Sequence, residues 1–554
     1  MPRGLVRANA RRIGWSALVL VVAAFSPPQA TAELVVVATS PGLNANNVGL
    51  LDPITVTFNR PVDRTTFTSQ RFWAFGRFSG AVSGPISFAN ADQTVVLTPV
   101  RRFQAGELVT VFLSHDLRAA DGTFLRAAGY SWQFQTRARC AGLDMIEIDS
   151  MSNRDANNNQ TRIYGAVTTD FNGDGWVDIA TINEVSADMR MFLNRADGTG
   201  LFDDYLEPPL PLLFEISPNE AGDFDRDGNA DFAVSSTATN MVCVALGNGD
   251  GTFAPAQFED TGAQPHGVAV LDVDGDGDAD IVTANSGGND LSLFLNNGAG
   301  VFGPATQFDG GGHGEYGLIA AEMNGDGILD LVVGCRAGGT AAVLRGNGDG
   351  TFTPISSQNI GGSVWVVNAG DLDGDGDMDV ASANDGSENG AILLNSGGTL
   401  LPPTIYAAPG HTASSDLGDI DGDGDLDWVL SGFGGGAWRI YVNDGSGNFT
   451  FFDDVPAPSN PSCAALFDLD NDGDLDVSLF DEIADVVVLV RNTAQPYGGD
   501  LDVDGDVDLA DLSALLSNFG LSSGAEHADG DIDGDGAVSL ADLSALLEDY
   551  GSSC

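Results

Sequence analysis

An acidic nonapeptide, (D/E)-x-(D/N)-x-D-G-x-x-D, recurs seven times along this chain, starting at Asp170, Asp223, Asp272, Glu322, Asp371, Asp419 and Asp468. The intervals are 53, 49, 50, 49, 48 and 49 residues. A fixed period near 50 means a repeat architecture, in which each unit buries its apolar face against its neighbours. Each copy also has the donor pattern of a calcium loop. Oxygen-bearing side chains stand at alternate positions, a glycine at the sixth makes the sharp turn, and a carboxylate follows three residues later.

The expected ligands are Asp170, Asn172, Asp174 and Asp178 in loop 1, and Asp223, Asp225, Asp227 and Asp231 in loop 2. Loop 3 offers Asp272, Asp274, Asp276 and Asp280; loop 4 offers Glu322, Asn324, Asp326 and Asp330. Loop 5 offers Asp371, Asp373, Asp375 and Asp379, and loop 6 Asp419, Asp421, Asp423 and Asp427. Loop 7 offers Asp468, Asp470, Asp472 and Asp476. Loops 1 and 4 carry an asparagine at the third position, and loop 4 a longer glutamate at the first. They are expected to be the weakest sites.

The formal net charge is −56, and all 23 basic residues are arginine. Such a surface repels phosphate and argues against a nucleic-acid partner. The acid has a local purpose. The seven loops and two more near the C-terminus hold 34 of the 79 acidic residues, and nine bound calcium ions would cancel 18 charges.

Residues 1–32 read as a secretory signal: Arg3, Arg7, Arg11 and Arg12, then the apolar run Ile13–Phe25, then Ala30-Thr31-Ala32 as a small-x-small cleavage site. The Arg11-Arg12 pair raises a twin-arginine route, which the flanking residues fit poorly. No later stretch is long and apolar enough to span a bilayer, so the mature chain is expected outside the cell without a membrane span. The five cysteines, Cys140, Cys243, Cys335, Cys463 and Cys554, are too scattered for a disulfide scaffold. Cys243 and Cys335 lie in apolar runs and are expected as buried thiols. Cys140 and Cys463 are one candidate pair.

Residues 33–138 contain six or seven short β-rich runs punctuated by Gly, Pro and Asn, the pattern of a β-sandwich. The runs are Leu34–Ala38, Ile54–Asn59, Arg71–Phe75, Thr94–Thr98, Leu108–Ser114 and Ser131–Thr136. On Ile54–Asp63, Val95–Pro99, Asp121–Leu125 and Trp132–Thr136 the stretch resembles bacterial Ig-like domains, which implies a spacer or adhesive module.

Residues 142–492 are the repeat region. The third repeat shows the plan: strand A at Gly267–Leu271, the loop, strand B at Ile281–Ala284, strand C at Leu291–Asn296, a glycine hairpin, and strand D beginning near Phe302. Four strands in each of seven repeats describe a seven-bladed β-propeller. With Phe302-Gly-Pro304 and the hairpins Gly247–Phe253 and Gly346–Phe352, the region resembles the FG-GAP/VCBS repeats of integrin-type propellers. The seventh repeat lacks strand D, while Leu143–Ile148 is an apolar orphan before the first. An open ring would expose sheet edges. The orphan is therefore expected to complete the seventh blade.

A linker at 493–498 leads to residues 499–554, which hold two near-duplicate loops 31 residues apart. Their ligands are Asp500, Asp502, Asp504 and Asp511, and Asp531, Asp533, Asp535 and Asp542. Both run into the same helix start, Leu-Ala-Asp-Leu-Ser-Ala-Leu-Leu, and neither has room for a helix before it. Tandem half EF-hands resemble type I dockerin modules. The resemblance implies a small all-α domain binding two calcium ions. It further implies a cohesin-like or other surface protein as partner, facing Leu509, Ala510, Leu540 and Ala541.

The sequence shows no H-E-x-x-H or Cys–His constellation, and its G-x-S-x-G at Gly520–Gly524 follows a helical run and not the strand that a nucleophile elbow needs. The glycine hairpins are not followed by helices, so they are turns and not phosphate loops. One position invites a ligand. Six residues before the seven loops stand Tyr164, Ser217, His266, Tyr316, Trp365, Ala413 and Ser462, where strand A would reach the upper mouth of the central channel. Tyr164, His266, Tyr316 and Trp365 could stack on a sugar or grip a protein loop, or simply plug the channel. The overall expectation is a mainly β, secreted, calcium-binding adhesion or scaffold protein. It would dock through its tail and present a propeller face to a glycan or protein. The alternative is an extracellular carbohydrate-active enzyme, or an accessory of polysaccharide degradation, with its activity on the propeller.

Overall fold

The structure, a computed structural model, describes residues 33–208, 210, 216–493, 499–501, 507–525, 527–532 and 534–551. The expected signal segment lies outside the described residues, as does most of the expected linker.

The N-terminal domain is a sandwich of two sheets. One pairs Val36–Ser40, Ile54–Phe58, Thr94–Leu97 and Ile86–Ala89; the other pairs Ala45–Val48, Tyr130–Thr136, Leu108–Leu113, Phe72–Gly76 and Gly80–Val82. Alternation puts Ile54, Val56 and Phe58 inward from the first sheet against Val109, Val111, Trp132 and Phe134 of the second. The buried Trp132 indole gives its N–H to the Pro41 carbonyl at 3.2 Å.

Seven antiparallel sheets form the ring, six of them with four strands. The first has three among the described residues, because its fourth run makes only the isolated bridge Met191–Leu206, so the expected four strands per repeat do not hold there. The third shows the common plan, with Pro265–Leu271, Asp280–Asn285, Asp290–Phe294 and Thr306–Phe308 paired in chain order. Its fourth strand starts later than the sequence suggested. Phe302 makes only an isolated bridge to Asn296, which closes the hairpin before the strand begins. The second strand of each sheet is wholly buried or nearly so, because sheets cover it on both faces. This explains its unbroken apolar and small-residue runs.

The innermost strands pack against one another in order, and Pro461–Phe467 of the seventh packs against Ile163–Thr169 of the first, so the ring closes. The seventh sheet takes its outer strand from the other end of the ring: Ile146–Ser152 pairs antiparallel with Val486–Arg491. The orphan strand thus lies where the sequence placed it. It sits about three residues further along, because Leu143, at φ 55°, still belongs to the turn that brings the chain in.

Cys243 and Cys335 are buried thiols, pushed by burial up to about 12 and about 11. Cys463 is a free thiol, which removes the candidate Cys140–Cys463 pair. Cys140 is disulfide-bonded, and Cys554 lies outside the described residues. Among the described residues no helix is long and apolar enough to cross a membrane.

Candidate functional site

Each acidic nonapeptide lies where the first strand of a sheet turns into the second. The sixth-position glycine has positive φ in all seven loops, from 72° at Gly327 to 101° at Gly473, a region open to glycine at little cost. The ninth-position aspartate works as a staple. In loop 3, Asp280 Oδ2 accepts the Val273 N–H at 2.9 Å and Oδ1 accepts the Asn296 N–H at 2.8 Å. The same two bonds recur on Asp178, Asp231, Asp330, Asp379, Asp427 and Asp476. The first-position carboxylate folds back on the loop: Asp272 accepts the N–H groups of Gly275 and Gly277 at 2.8 and 2.9 Å.

This geometry crowds carboxylates together. Among the described residues, five loops bring three carboxylate oxygens within 4.8 Å of one another. These are Asp223, Asp225 and Asp231; Asp272, Asp274 and Asp276; Asp371, Asp373 and Asp379; Asp419, Asp421 and Asp427; and Asp468, Asp470 and Asp476. Burial and the neighbouring acids push their carboxyls up, to about 8 at Asp231 and Asp379 and about 7 at Asp223 and Asp468. Asp223 Oδ1, Asp419 Oδ1 and Asp470 Oδ1 are buried with no hydrogen-bond partner. Orphaned oxygens on converging acids fit a hard divalent cation, which would supply the missing partner and cancel the repulsion. Loops 1 and 4 differ. The Asn172 amide donates to Asp174 Oδ2 at 3.0 Å and the Asn324 amide to Asp330 Oδ2 at 2.8 Å, so each asparagine is engaged with a neighbouring carboxylate.

The C-terminal region contains two short helices, α1 (Leu509–Asn518) and α2 (Leu540–Asp549), each opened by a capping box. Asp511 and Asp542 are buried and reach back to the Leu501 and Ile532 N–H groups at 2.6 and 2.9 Å. Asp500 and Asp531 are also buried, and Asp531 accepts the Asp535 N–H at 3.1 Å. Asp502, Asp504 and Asp533 lie outside the described residues. Leu509 and Leu540 are 67% and 73% exposed, and Ala510 and Ala541 beside them are exposed as well.

The four rings before the loops come together. His266 stacks on Tyr316 with centroids 3.5 Å apart, Trp365 lies 4.8 Å from Tyr316, and the Tyr164 hydroxyl is 3.3 Å from His266 Nε2. The Arg336 guanidinium covers Trp365 at 4.3 Å and pairs with Asp385 at 2.6 Å. His266 is 1% exposed and Tyr316 8%, while Tyr164 and Trp365 are half-buried. Burial holds the His266 imidazole well below its usual range and pushes the Tyr316 phenol up to about 12. The other three positions bring no ring: Ala413 and Ser462 are small, and Ser217 is a serine.

Below the rings lies a cavity of about 570 Å³. Its mouth is lined by Arg162, Glu184, Trp365, His411, Phe433 and Glu482, and its other end by the N-terminal sandwich, through Trp73, Phe75, Arg77 and Phe112. Arg77 enters the channel and pairs with both oxygens of Asp416, at 2.8 and 3.1 Å. The hairpin that presents it is held by Glu107, whose carboxylate accepts the Phe78 and Ser79 N–H groups at 2.8 Å each. The channel is therefore blind. Sequence reasoning missed this floor, because nothing in residues 33–138 signals where the domain docks.

It also missed a stitch between sheets. Asn296 Nδ2 donates to Phe224 O of the preceding sheet at 2.7 Å. Asn395, Asn443 and Asn492 repeat the bond, and Asn194 makes it to Leu469, across the closure. The signal was present: an asparagine 16 residues after the ninth loop position in five repeats.

Comparison with known proteins agrees with this architecture. The FG-GAP-like repeat matches six overlapping segments, 170–234, 223–283, 272–333, 323–382, 371–430 and 419–478, and a bacterial Ig-like domain matches residues 30–136. No curated protein matches the chain. Among solved structures it is similar to an Agrocybe aegerita lectin that recognises non-reducing terminal N-acetylglucosamine, with 18% identity, TM-score 0.37, and 72% of this chain and 94% of that one covered. It is also similar to a Bacillus licheniformis rhamnogalacturonan lyase, with 12% identity, TM-score 0.39, and 82% and 90% covered. The repeat matches span more than half of the chain, which belongs to the family of FG-GAP-like repeat proteins.

Proposed function

We propose that this is an extracellular recognition protein: a seven-bladed, calcium-stapled β-propeller that takes a glycan or a protein loop at the open mouth of its channel. The blind cavity carries this reading. One end is closed by the sandwich, while the other offers Trp365, Tyr164 and the polar rim side chains Arg162, Glu184, His411 and Glu482. About 570 Å³ with a ringed entrance suits one end of a sugar chain or one inserted side chain. Seven calcium ions would sit in the ring loops and two in the tail. The tail would act as a dockerin-like module for a cohesin-like or other surface partner, through the exposed Leu509, Ala510, Leu540 and Ala541.

The second reading, an enzyme of polysaccharide breakdown, is favoured by one observation. His411 at the mouth is oriented by a 3.0 Å contact from Nδ1 to Asp385 Oδ1, the arrangement of a positioned base. A panel of glycans and polysaccharides, with reducing-end release measured on the same samples, separates the two. Saturable binding without release supports recognition, and binding lost in Trp365→Ala but kept in Arg64→Met, at a sandwich residue paired with Asp92 and absent from the cavity lining, assigns it to the mouth. Release that disappears in His411→Ala establishes the enzyme.

A further inference from the structure

The ring face that carries the seven loops is also the seat of the Ig-like domain. The contacts follow a rule. In five loops the carbonyl of the sixth-position glycine accepts a bond from the N-terminal region. Gly175 accepts from Gln104 Nε2 at 2.8 Å, Gly277 from Trp73 Nε1 at 2.9 Å and Gly327 from the Ser131 N–H at 2.9 Å. Gly376 accepts from Asn44 Nδ2 at 3.1 Å and Gly473 from the Arg139 N–H at 2.8 Å. The other two loops are reached at nearby carbonyls, Arg226 by Gln70 and Asp421 by the Ala141 N–H. No loop is missed.

We propose that the loop face is a docking surface for the chain's own Ig-like domain, and that calcium occupancy of the loops and docking of the domain form one coupled equilibrium. This rests on the reading of the loops as calcium sites. The partners complement each other in charge: residues 33–139 carry ten arginines and seven acids, whereas the chain beyond carries nine arginines and 72 acids. Apolar contact adds to this, with Trp73 stacked on Phe112 at 4.5 Å beneath sheet 3, and Phe78 against Phe467 at 5.8 Å.

Charge alone would give the opposite coupling. An emptied loop is more negative and would hold an arginine-rich domain more tightly. The bonds decide the matter, because they read the shape of the loop backbone and not its free charge. Arg126 donates to the Asp326 and Gly327 carbonyls and Arg102 to Asn471. Among the described arginines of residues 33–139 only Arg101, at 3.4 Å from Asp170, forms a direct ion pair with an expected ligand, while Arg126 and Arg102 act on Asp326 and Asp468 through space. Crowded carboxylates without a cation spread apart, and the carbonyls then lose the alignment that seven donors require. Coupling is reciprocal, so removing a docking contact weakens calcium binding by the same factor that calcium strengthens docking.

Hydrogen exchange on the full chain tests this, with calcium binding measured on the same samples. With chelator, the Ser131 and Arg139 amides, and the His115 amide that donates to the Gly275 carbonyl of loop 3 at 2.7 Å, should exchange at least tenfold faster, while Leu108–Leu113 inside the sandwich stays protected. Trp73→Phe and Arg126→Met should each weaken calcium binding several-fold at constant fold, and Arg64→Met, away from the face, should not. Interface amides equally protected with and without calcium, in a chain that binds calcium, overturn the coupling; so do unchanged calcium affinities in both variants. A chain that binds no calcium at all overturns instead the reading of the loops.

Discussion

Asn296 shows how one side chain can hold two elements. Its amide bonds the Phe224 and Ala279 carbonyls, both buried, at 2.7 and 3.0 Å. Truncating it strands two acceptors away from water. Asn296→Ala and Asn443→Ala should each cost about 1–3 kcal/mol in denaturant unfolding. Asn194→Ala, which cuts the stitch at the closure, should cost at least as much. Midpoints unchanged in all three would show that water replaces the amide.

His266 carries a different dependence. Its folded pKa is lowered by burial, so the unfolded chain takes up a proton, near pH 6.5, that the folded chain refuses. The stabilisation is complete above about pH 6.5 and is lost as pH falls toward the folded value, with a slope of up to about 1.4 kcal/mol per pH unit. His266→Asn should remove that share of acid sensitivity, read as a smaller drop in the urea midpoint between pH 6.5 and 5. An equal drop in parent and variant would place the acid sensitivity elsewhere.

Among elements, the strand Ile146–Ser152 matters most, since it alone joins the two ends of the ring in one sheet. A chain starting at Thr161 should be clearly less stable than one starting at Gly142, and more prone to associate through the bared edge of Val486–Arg491. The loops should respond to chelation. At calcium a hundredfold above Kd, each site that binds only the folded state adds about 2.7 kcal/mol. EDTA should therefore lower the melting temperature sharply, and loops 1 and 4 should be the first to empty in a calcium titration. A melting curve indifferent to chelator would remove the metal from the account.

Much of this level was legible in the sequence, because spacing and turn chemistry are local: the loops, the strand pairs around them and the missing outer strand all follow from period and pattern. What stayed hidden depends on long-range docking. Arg77 meets Asp416 across 339 positions, and no local pattern at either residue announces the other. The mutual burial of His266 and Tyr316 was hidden for the same reason. A period places residues at one end of a channel but does not say how their rings settle there.

At the scale of the whole molecule, sandwich and ring share cores, with Trp73 and Phe112 in one apolar cluster with sheets 2 to 4. The tail keeps its own, built from Leu501, Val507, Leu515, Val538 and Leu546. Asp511→Ala combined with Asp542→Ala should unfold the tail and leave the ring's melting transition in place, checked by calorimetry on the full chain. Loss of the ring transition in that variant would show that the tail is not independent.

The last described residues before the tail also set its point of departure. Asn492 is pinned to Ile420 beside loop 6, and the Thr493 carbonyl accepts the Gly142 N–H at 3.2 Å. Both flanking domains therefore leave the ring on the loop side, opposite the mouth. Under the proposed function, tethering by the tail would turn the channel mouth outward, away from the loop face on which the Ig-like domain sits like a washer. Pulling on a captured ligand would then load the channel along its axis, against the floor that Arg77 and Glu107 hold closed.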